Sequence, residues 1–297
     1  MAIRSTILIS VDSENGKIYG ALGVIPTNDE EIIDTFSTMI RTIPCEIDIL
    51  SDHLNRYLCD NFKYRYHIGV GINLRTAGIL AEVHGIPVFR MKQFYRLNNN
   101  IVKYEIADIV NKIISPINAT EDIYYYEVNN YDEFDAAISE DVLKKCRPYK
   151  NKRYYKKRFF EHPYYSYRTW IIKDSKGNVG TLSGREVEVN NSKVFRFMNY
   201  GGNDELLMML GRLSEDLFTE TNYEYADFYC YGVDETILVN AGMIERVEND
   251  NNIIPNYFEP FERKNVEIYC DCKKVDEGIH VYKSDSDQDR PNILRSH

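Results

Sequence analysis

Two well-separated stretches of the chain repeat the same pattern of turns and strands, and no other feature limits the fold so strongly. In each stretch a glycine-flanked turn leads into a strand, and further along an apolar strand, a short helix and a glycine precede another strand. The first stretch runs from Gly20 to Gly85, and the second runs from Gly180 to Gly242, so the two are of nearly equal length. A pattern repeated at so similar a spacing predicts that one α/β domain is used twice.

Hydrophobic periodicity predicts the elements of both halves. In the first half they are a hairpin of strands at 6–11 and 17–25, a helix near 47–58, a strand at 67–70, a helix at 75–83 and a strand at 86–95. In the second half they are a strand at 123–128, helices at 131–146 and 151–161, strands at 168–173, 178–189 and 193–199, a helix at 204–218, a strand at 225–231, a helix at 234–240 and a strand at 243–248. Residues 31–40 fit a helix or a strand, and residues 101–117 are ambiguous. The predicted domains are therefore 1–118, truncated because it lacks an opening strand and two helices, and 119–297, which is complete.

Length and composition restrict the class of protein. A chain of 297 residues is typical of about two domains, and its net charge of −10 disfavours general binding to nucleic acid or to an anionic membrane. It has no apolar run of membrane-spanning length and no signal-peptide pattern at its N-terminus, so a cytoplasmic location is expected. The six cysteines have no disulfide-framework spacing, and no metal site is predicted.

The order of elements in the second half resembles that of the GNAT superfamily of acyl-CoA-dependent acyltransferases. The glycine-flanked hairpins and the helix-glycine-strand endings carry this resemblance, and residues 73–80 followed by Gly85 are similar to the family's N-x-x-A-x-x-L ending. Residues 254–261 and 285–292 also resemble segments of tandem GNAT-like proteins from bacterial surface-polysaccharide gene clusters. The resemblance implies an α/β fold of two GNAT-like domains in tandem, each with a mostly antiparallel mixed sheet flanked by helices.

The resemblance also implies a reaction and a co-substrate. The protein would transfer an acyl group from acetyl-CoA or another acyl-CoA to an amino group, with a sugar of a surface polysaccharide as one candidate acceptor and no metal. Backbone N–H groups between the fourth strand and the next helix would hold the pyrophosphate. In the second copy this position is Gly201, Gly202 and Asn203, with Arg196 on the preceding strand. The alternative is a plain turn with a helix cap, because acidic residues follow at once.

The first copy is expected to be non-catalytic. It has no glycine between Gly23 and Gly69, and a loop made only of residues with side chains cannot approach a phosphate closely. A second departure affects both copies, since neither has a tyrosine where the family's usual acid lies on the last helix. Any active site is therefore expected in the second copy.

The candidate acid and base lie on the strand at 225–231. Alternation places Asp227, Tyr229 and Tyr231 on one face, and a carboxyl group among aromatic rings can act as a base when its pKa is raised. Asp227 is the predicted base and Tyr231 the predicted acid. The alternative is a half-buried strand whose polar face meets solvent.

The remaining candidates would bind substrate. They are His162, Tyr164 and Arg168 before the second hairpin, Tyr229, and Asn256 and Glu259 in a proline-stiffened aromatic loop. Residues 144–158 contain nine basic residues and predict contact with a phosphate-bearing ligand, unless they form an ordinary solvated helix face. Asp285, Asp287 and Asp289 alternate but lack the glycine and glutamate of a calcium loop, so a polar tail, ordered or frayed, is predicted there.

Two other functions stay open. The basic segment is compatible with an aminoacyl-tRNA-dependent transferase similar to the Fem-type ligases. The incomplete loops and the missing tyrosine are compatible with a non-catalytic sugar-binding or scaffold protein.

Overall fold

A computed structural model describes residues 6–47, 49–118, 122–247, 251–273 and 278–289. Its strands are β1 (Thr6–Val11), β2 (Ile18–Pro26), β3 (Ile33–Thr42), β4 (Tyr64–Ile72), β5 (Val88–Leu97), β6 (Ile123–Val128), β7 (Arg168–Asp174), β8 (Val179–Val189), β9 (Ser192–Gly201), β10 (Tyr225–Tyr231), β11 (Ile244–Glu245), β12 (Tyr257–Phe258), β13 (Phe261–Glu262), β14 (Ile268–Cys272) and β15 (Val281–Tyr282). The α-helices are α1 (Leu50–Asn61), α2 (Leu74–Glu82), α3 (Tyr131–Ala137), α4 (Glu140–Leu143), α5 (Lys152–Tyr155), α6 (Leu210–Glu220) and α7 (Glu235–Asn240). A π-helical turn covers Lys156–Phe160, and 3₁₀ turns cover Asp204–Met209 and Asp285–Asp287.

One large sheet runs through the molecule in the order β1-β2-β3-β4-β14-β5-β10-β9-β8-β7-β6, with β11 added to β5 and β15 added to β10. The pairs β3–β4 and β9–β10 are parallel, and the other pairs are antiparallel. Helix α6 covers one face through its buried Leu210, Leu213 and Leu217, which recur at helical spacing. The chain is thus a mixed α/β protein with a large, mostly antiparallel sheet flanked by helices, as the sequence predicts.

Each half of the chain places a strand in the other half's part of the sheet. Residues 88–91 of β5 pair with β14, whereas residues 92–97 pair with β10. Strand β14, from near the end of the chain, lies between β4 and β5. The hydrogen bonding of the sheet therefore continues from one half to the other, and the division at residue 118 stays a prediction.

The repeated sequence pattern corresponds to a repeated order of elements. The first stretch contains β2, β3, α1, β4 and α2, and the second contains β8, β9, α6, β10 and α7. In each, the strand before the long helix is parallel to the strand after it. Residues 33–42, which overlap the segment that fits two patterns in the sequence, form strand β3.

Several predicted helices are shorter or less regular than expected. The helix predicted at 131–146 is capped by Asn130 but stops at Ile138, whose backbone is extended, and restarts as α4. The helix predicted at 151–161 is one α-turn followed by a π-turn, and the one at 204–218 begins as a 3₁₀ turn. Residues 101–117 form no helix or named strand. In the described parts of the chain, no helix is long and apolar enough to cross a bilayer.

The prediction of a polar tail is wrong for the residues that can be described. Residues 279–289, here named the strap, are mostly buried, and Asp285 is fully buried beside Lys150 with a distance of 2.7 Å from Nζ to Oδ1. Lys150 comes from the second half's helical region, and its charge offsets the cost of burying the Asp285 carboxylate. Residues 290–292 of the same predicted segment lie outside the described residues.

Candidate functional site

The parallel strands β9 and β10 are paired over only a short part of their length. Residues 195–197 of β9 lie opposite 226–228 of β10, and beyond that point the two strands separate. The strap occupies the gap, since Tyr282 pairs with Cys230 of β10 and the Ser284 amide donates to the Met198 carbonyl at 3.0 Å. Two of the candidate residues, Arg196 and Asp227, lie next to this gap.

Arg196 and Asp227 form an ion pair at the point of separation. The Arg196 Nε donates to Asp227 Oδ1 at 2.9 Å and its Nη2 donates to Oδ2 at 2.8 Å, and both side chains are buried. Gln93, on β5, also donates to Oδ2 at 2.9 Å. Burial lowers the pKa of Arg196, but the charge and hydrogen bonds of Asp227, together with smaller effects of Tyr225 and Tyr229, outweigh burial, so the pKa is raised. Asp227 could act as a base only by giving up these hydrogen bonds, so its observed role is to hold Arg196 and Gln93.

The two candidate tyrosines of β10, Tyr229 and Tyr231, have different surroundings. The Tyr229 hydroxyl donates to Gln93 Oε1 at 2.9 Å, so Asp227 and Tyr229 contact the same glutamine, as strand alternation predicts. Tyr231 stacks on Phe89 with ring centroids 4.5 Å apart. Burial raises the pKa of both hydroxyls. A higher pKa makes each hydroxyl a weaker proton donor at neutral pH.

A pocket lies above the ion pair and is covered by the β12–β13 hairpin. It holds about 380 Å³, including the part open to solvent, and its charged and amide side chains include Arg185, Arg196, Asn256, Glu259 and Lys283. Arg196 fixes the hairpin by donating to the Asn256 carbonyl at 2.8 Å and to Asn256 Oδ1 at 3.1 Å. The structure therefore brings three residues predicted from sequence, Arg196, Asn256 and Glu259, to one place. We name it the Lys283 pocket.

The predicted phosphate loop is closely packed. A Cβ atom at Gly202 would lie 2.7 Å from the Tyr200 hydroxyl, and one at Gly201 would lie 2.5 Å from the Tyr155 hydroxyl, so packing alone requires both glycines. Asn203 caps the following 3₁₀ turn by accepting from the Glu205 amide. Arg196 does not accompany this turn, because its guanidinium is bound to Asp227.

A second cleft lies beside Gly202. It holds about 290 Å³, and its lining includes Arg147, Lys150 and His280. His280 Nε2 is 3.4 Å from Asp204 Oδ2, so the acidic residue that would repel a diphosphate has a basic neighbour. This cleft, and not the Lys283 pocket, is the place where the glycine turn meets cationic side chains.

The candidates before the second hairpin lie in three different places. His162 Nδ1 accepts from the Tyr164 and Tyr165 amides, and its ring stacks on Tyr165, a residue that lines the Lys283 pocket. Burial, with the charges of Arg158 and Arg185, lowers the pKa of His162 to about 4. Tyr164 itself is largely exposed. Arg168 is on β7, bound to Glu127 and Glu220, and lies outside the pocket.

The basic residues of 144–158 are mostly paired within the protein. Seven of the nine have a carboxylate within 4 Å, and these are Lys144, Lys150, Lys152, Arg153, Lys156, Lys157 and Arg158. Lys150 and Arg158 are also buried. The arrangement corresponds more closely to a helix face balanced by acidic neighbours than to an open phosphate-binding surface.

Sequence analysis missed Lys283 and Arg185, and it included Lys150 only as one member of the basic segment 144–158. One signal was present for Lys283, because Ile279, Val281 and Lys283 alternate and the first two are buried on one side of the strap. The same alternation places Lys283 inside. Nothing local marks the partner of Lys150, which lies close to the far end of the chain at Asp285.

Comparison with solved structures finds distant similarity to acyltransferases. The chain is similar to N-myristoyltransferase from Saccharomyces cerevisiae with bound myristoyl-CoA (TM-score 0.43, 10% identity, 89% of this chain and 66% of that one). It is also similar to a probable N-acyltransferase from Enterococcus faecalis (TM-score 0.47, 7% identity, 85% of this chain and 59% of that one). A third similar structure is a GCN5-related N-acetyltransferase from Sphaerobacter thermophilus (TM-score 0.43, 12% identity, 94% of this chain and 84% of that one). The chain thus spans less than two thirds of the length of the first two. No protein-family model matches the chain, and no curated protein matches its sequence.

Proposed function

We propose that the protein transfers an acyl group from an acyl-CoA to an amino group where β9 and β10 separate. The observation that carries this proposal is the parallel pairing that stops after residues 197 and 228 while β9 continues to the Gly201–Gly202 turn. Separated strands leave main-chain N–H and C=O groups available to an extended amide-containing ligand, which can bind as an added strand. A pantetheine arm is such a ligand.

In this proposal the pyrophosphate binds in the cleft beside Gly202. Arg147 supplies positive charge there, and the His280 ring also lines the cleft. The acyl carbonyl would then lie toward Arg196. The amine nitrogen forms a bond with this carbon as the carbon–sulfur bond breaks, and the proton that the amine loses passes by way of Glu259 and solvent to the thiolate.

The strap would have to move for this reaction. It now bonds to both separated strands, through Tyr282 on one side and Ser284 on the other. Binding of acyl-CoA therefore requires that the Ser284 amide leave the Met198 carbonyl. The strap would thus act as a competitor that acyl-CoA displaces.

The test is calorimetric titration with acetyl-CoA, combined with amide hydrogen exchange at Ser284. We expect saturable binding, faster exchange at Ser284 on binding, and affinity at least about tenfold weaker in Arg147→Glu because a repulsive charge replaces an attractive one. Lys144→Glu is the matched control, since Lys144 is half-exposed and only 3.9 Å from Glu30 in a weak surface pair. Absence of binding at millimolar acetyl-CoA would overturn the proposal.

We also propose that the repeated order of elements reflects a tandem duplication, with residues 1–118 as the truncated, non-catalytic copy. Its support is the second parallel pair, β3–β4, which is bonded only over residues 33–37 and 64–69. The 3₁₀ turn Asp285–Asp287 of the strap lies against both of these strands. One strap thus contacts both pairs of separating strands.

The strap favours a second candidate, a non-catalytic binding protein. A segment with a buried ion pair and main-chain bonds to two strands is an integral part of a fold. If acetyl-CoA does not bind and Ser284 exchange stays slow, while the Lys283 pocket binds a small ligand, this second function is the correct one.

A further inference from the structure

The Lys283 pocket contains several buried donors without a hydrogen-bond acceptor among the described residues. Within the described ranges, the Asn256 Nδ2 and the Arg185 Nε have no hydrogen-bond partner, and the Lys283 ammonium makes no hydrogen bond or ion pair. Asn256 is 3% exposed and Lys283 is 4% exposed. Buried donors are nearly always satisfied in proteins, so several unsatisfied donors around one pocket indicate a missing acceptor.

The orientation of Asn256 is fixed by its surroundings. Arg196 Nη2 donates to Asn256 Oδ1 at 3.1 Å, and a guanidinium can only donate. The oxygen of the amide must therefore face Arg196, which leaves the NH₂ group facing away from it. Of the two ends of this side chain, only the donating end is free.

Lys283 lies between aromatic rings and arginines. Its Nζ is 5.6 Å from the ring centroids of both Tyr229 and Tyr257, while the Arg196 guanidinium carbon is 5.7 Å from the same Tyr229 ring. Burial, and then the charge of Arg196, lower the pKa of Lys283 well below its ordinary value. An anion in the pocket would reverse both effects, since it would compensate burial and offset the repulsion.

Two nearby acidic groups, Asp227 and Asp289, already accept hydrogen bonds from other side chains. Both oxygens of Asp227 accept from Arg196, and those of Asp289 accept from Arg158 and Tyr167. Arg185 Nε lies 3.7 Å from Asp289 Oδ2, too far for a hydrogen bond. Glu259 also lines the pocket, on the hairpin between β12 and β13.

We infer that the Lys283 pocket binds an oxyanion, the carboxylate or phosphate group of a small ligand, through Lys283, Asn256 and Arg185. The ligand oxygens accept from the ammonium, the amide NH₂ and the guanidinium Nε, and charged donors of this kind bind such groups most strongly. The anion lies on the side of the sheet that carries Arg196 and Asp227. This inference does not depend on acyl transfer, and it adds residues to the pocket that no sequence pattern assigned.

Direct titration of the purified protein with sodium acetate and with inorganic phosphate, at constant ionic strength and without acyl-CoA, tests the inference. We expect saturable binding of at least one anion and a rise in melting temperature. Acetate alone would identify a carboxylate site, and phosphate alone a phosphate site. Loss of one charge-assisted hydrogen bond in Lys283→Met, or of the amide donor in Asn256→Leu, should weaken binding by about tenfold or more.

The variants are informative because they should fold. Lys283→Met removes a buried amine that has no acceptor among the described residues, so its free energy of unfolding should equal or exceed that of the wild type. Lys264→Met is the matched control, since the Lys264 side chain is 60% exposed and pairs with Glu262. Equal anion affinity in Lys283→Met and wild type, or no saturable binding of either anion, would overturn the inference. Neither result bears on acyl-CoA binding, which the Arg147→Glu titration tests separately.

Discussion

Arg196 and Asp227 lie directly opposite each other on adjacent parallel strands, and their side chains make two hydrogen bonds of 2.9 and 2.8 Å. Their exposed fractions are 3% and 1%, so water cannot replace either partner. The pair lies in the short bonded part of β9 and β10 and also fixes Asn256 above the pocket. It therefore links the stability of the sheet to the shape of the candidate site.

Removing one charge of this pair should destabilise the protein strongly. Asp227→Asn leaves the Arg196 charge buried without a counter-ion, and we expect a loss of about 3–5 kcal/mol in the free energy of unfolding. Urea denaturation measures this loss. In the exposed pair of Lys63 with Glu31, at 74% and 84% side-chain exposure, Glu31→Gln should cost less than about 1 kcal/mol. Equal losses in the two variants would contradict the prediction.

Two buried groups on paired strands should give opposite pH dependences. Burial, with the charge of Lys273, lowers the pKa of His67 to about 3, so between about pH 3 and 6.5 only the unfolded chain binds its proton and stability rises with pH. Burial raises the pKa of Asp271 to about 6, so between about pH 4 and 6 only the folded chain binds its proton and stability falls with pH. Between about pH 4 and 6 the two contributions oppose each other.

Single substitutions should reveal each contribution. In Asp271→Asn the free energy of unfolding should rise more steeply from pH 4 to 6 than in the wild type. In His67→Gln its slope over the same pH range should be lower than in the wild type. Each change in slope approaches about 1.4 kcal/mol per pH unit. Urea denaturation at several pH values measures these slopes. A change of the same sign in both variants would show that the assignment is wrong.

Alanine substitutions at two glycines with nearly equal φ angles should distinguish the cost of backbone strain from the cost of a steric clash. Gly232 has φ +89° and Gly177 has φ +86°, but a Cβ at Gly232 would lie 1.9 Å from the Ile279 carbonyl oxygen, whereas one at Gly177 meets nothing within 4 Å. Gly177→Ala should cost only the strain of a positive φ, about 1–2 kcal/mol. Gly232→Ala should cost about 1–3 kcal/mol more, because the start of the strap must move. Equal losses in chemical denaturation would mean that the strap does not pack there.

Local sequence patterns predicted an element well where the element depends only on its own residues and the turns beside it. Strands β6 and β10 have the predicted bounds, since both are mostly apolar or aromatic runs bounded by polar turns. The pairing of β14 with β4 and β5 had no local signal, because it joins residues from distant parts of the chain. The strap was misread for the same reason, as its aspartates look solvated until the distant Lys150 and Arg158 are known to reach them.

The candidate site shows the same limit. Asn256 and Glu259 were found because each is a polar residue among aromatic ones, and Arg196 because it lies on the strand before the glycine turn. Their convergence depends on how the hairpin β12–β13 folds back over β9. The hydrogen bond from Gln93 to Asp227 had no signal in the sequence around Asp227, because Gln93 enters from β5, a strand of the other half. The assignment of Asp227 as a base used only the pattern of its own strand, so it could not include a hydrogen-bond donor from another strand.

The position of β14 has a consequence for the order of events during synthesis. The ribosome completes β4 and β5 long before it makes β14, because β5 ends at Leu97 and β14 begins only at Ile268. Until then β4 and β5 lack the strand that will lie between them, and their unpaired edges are open to mispairing. During most of translation the sheet therefore lacks one of its central strands. A segment made late, Ile268–Cys272, completes it.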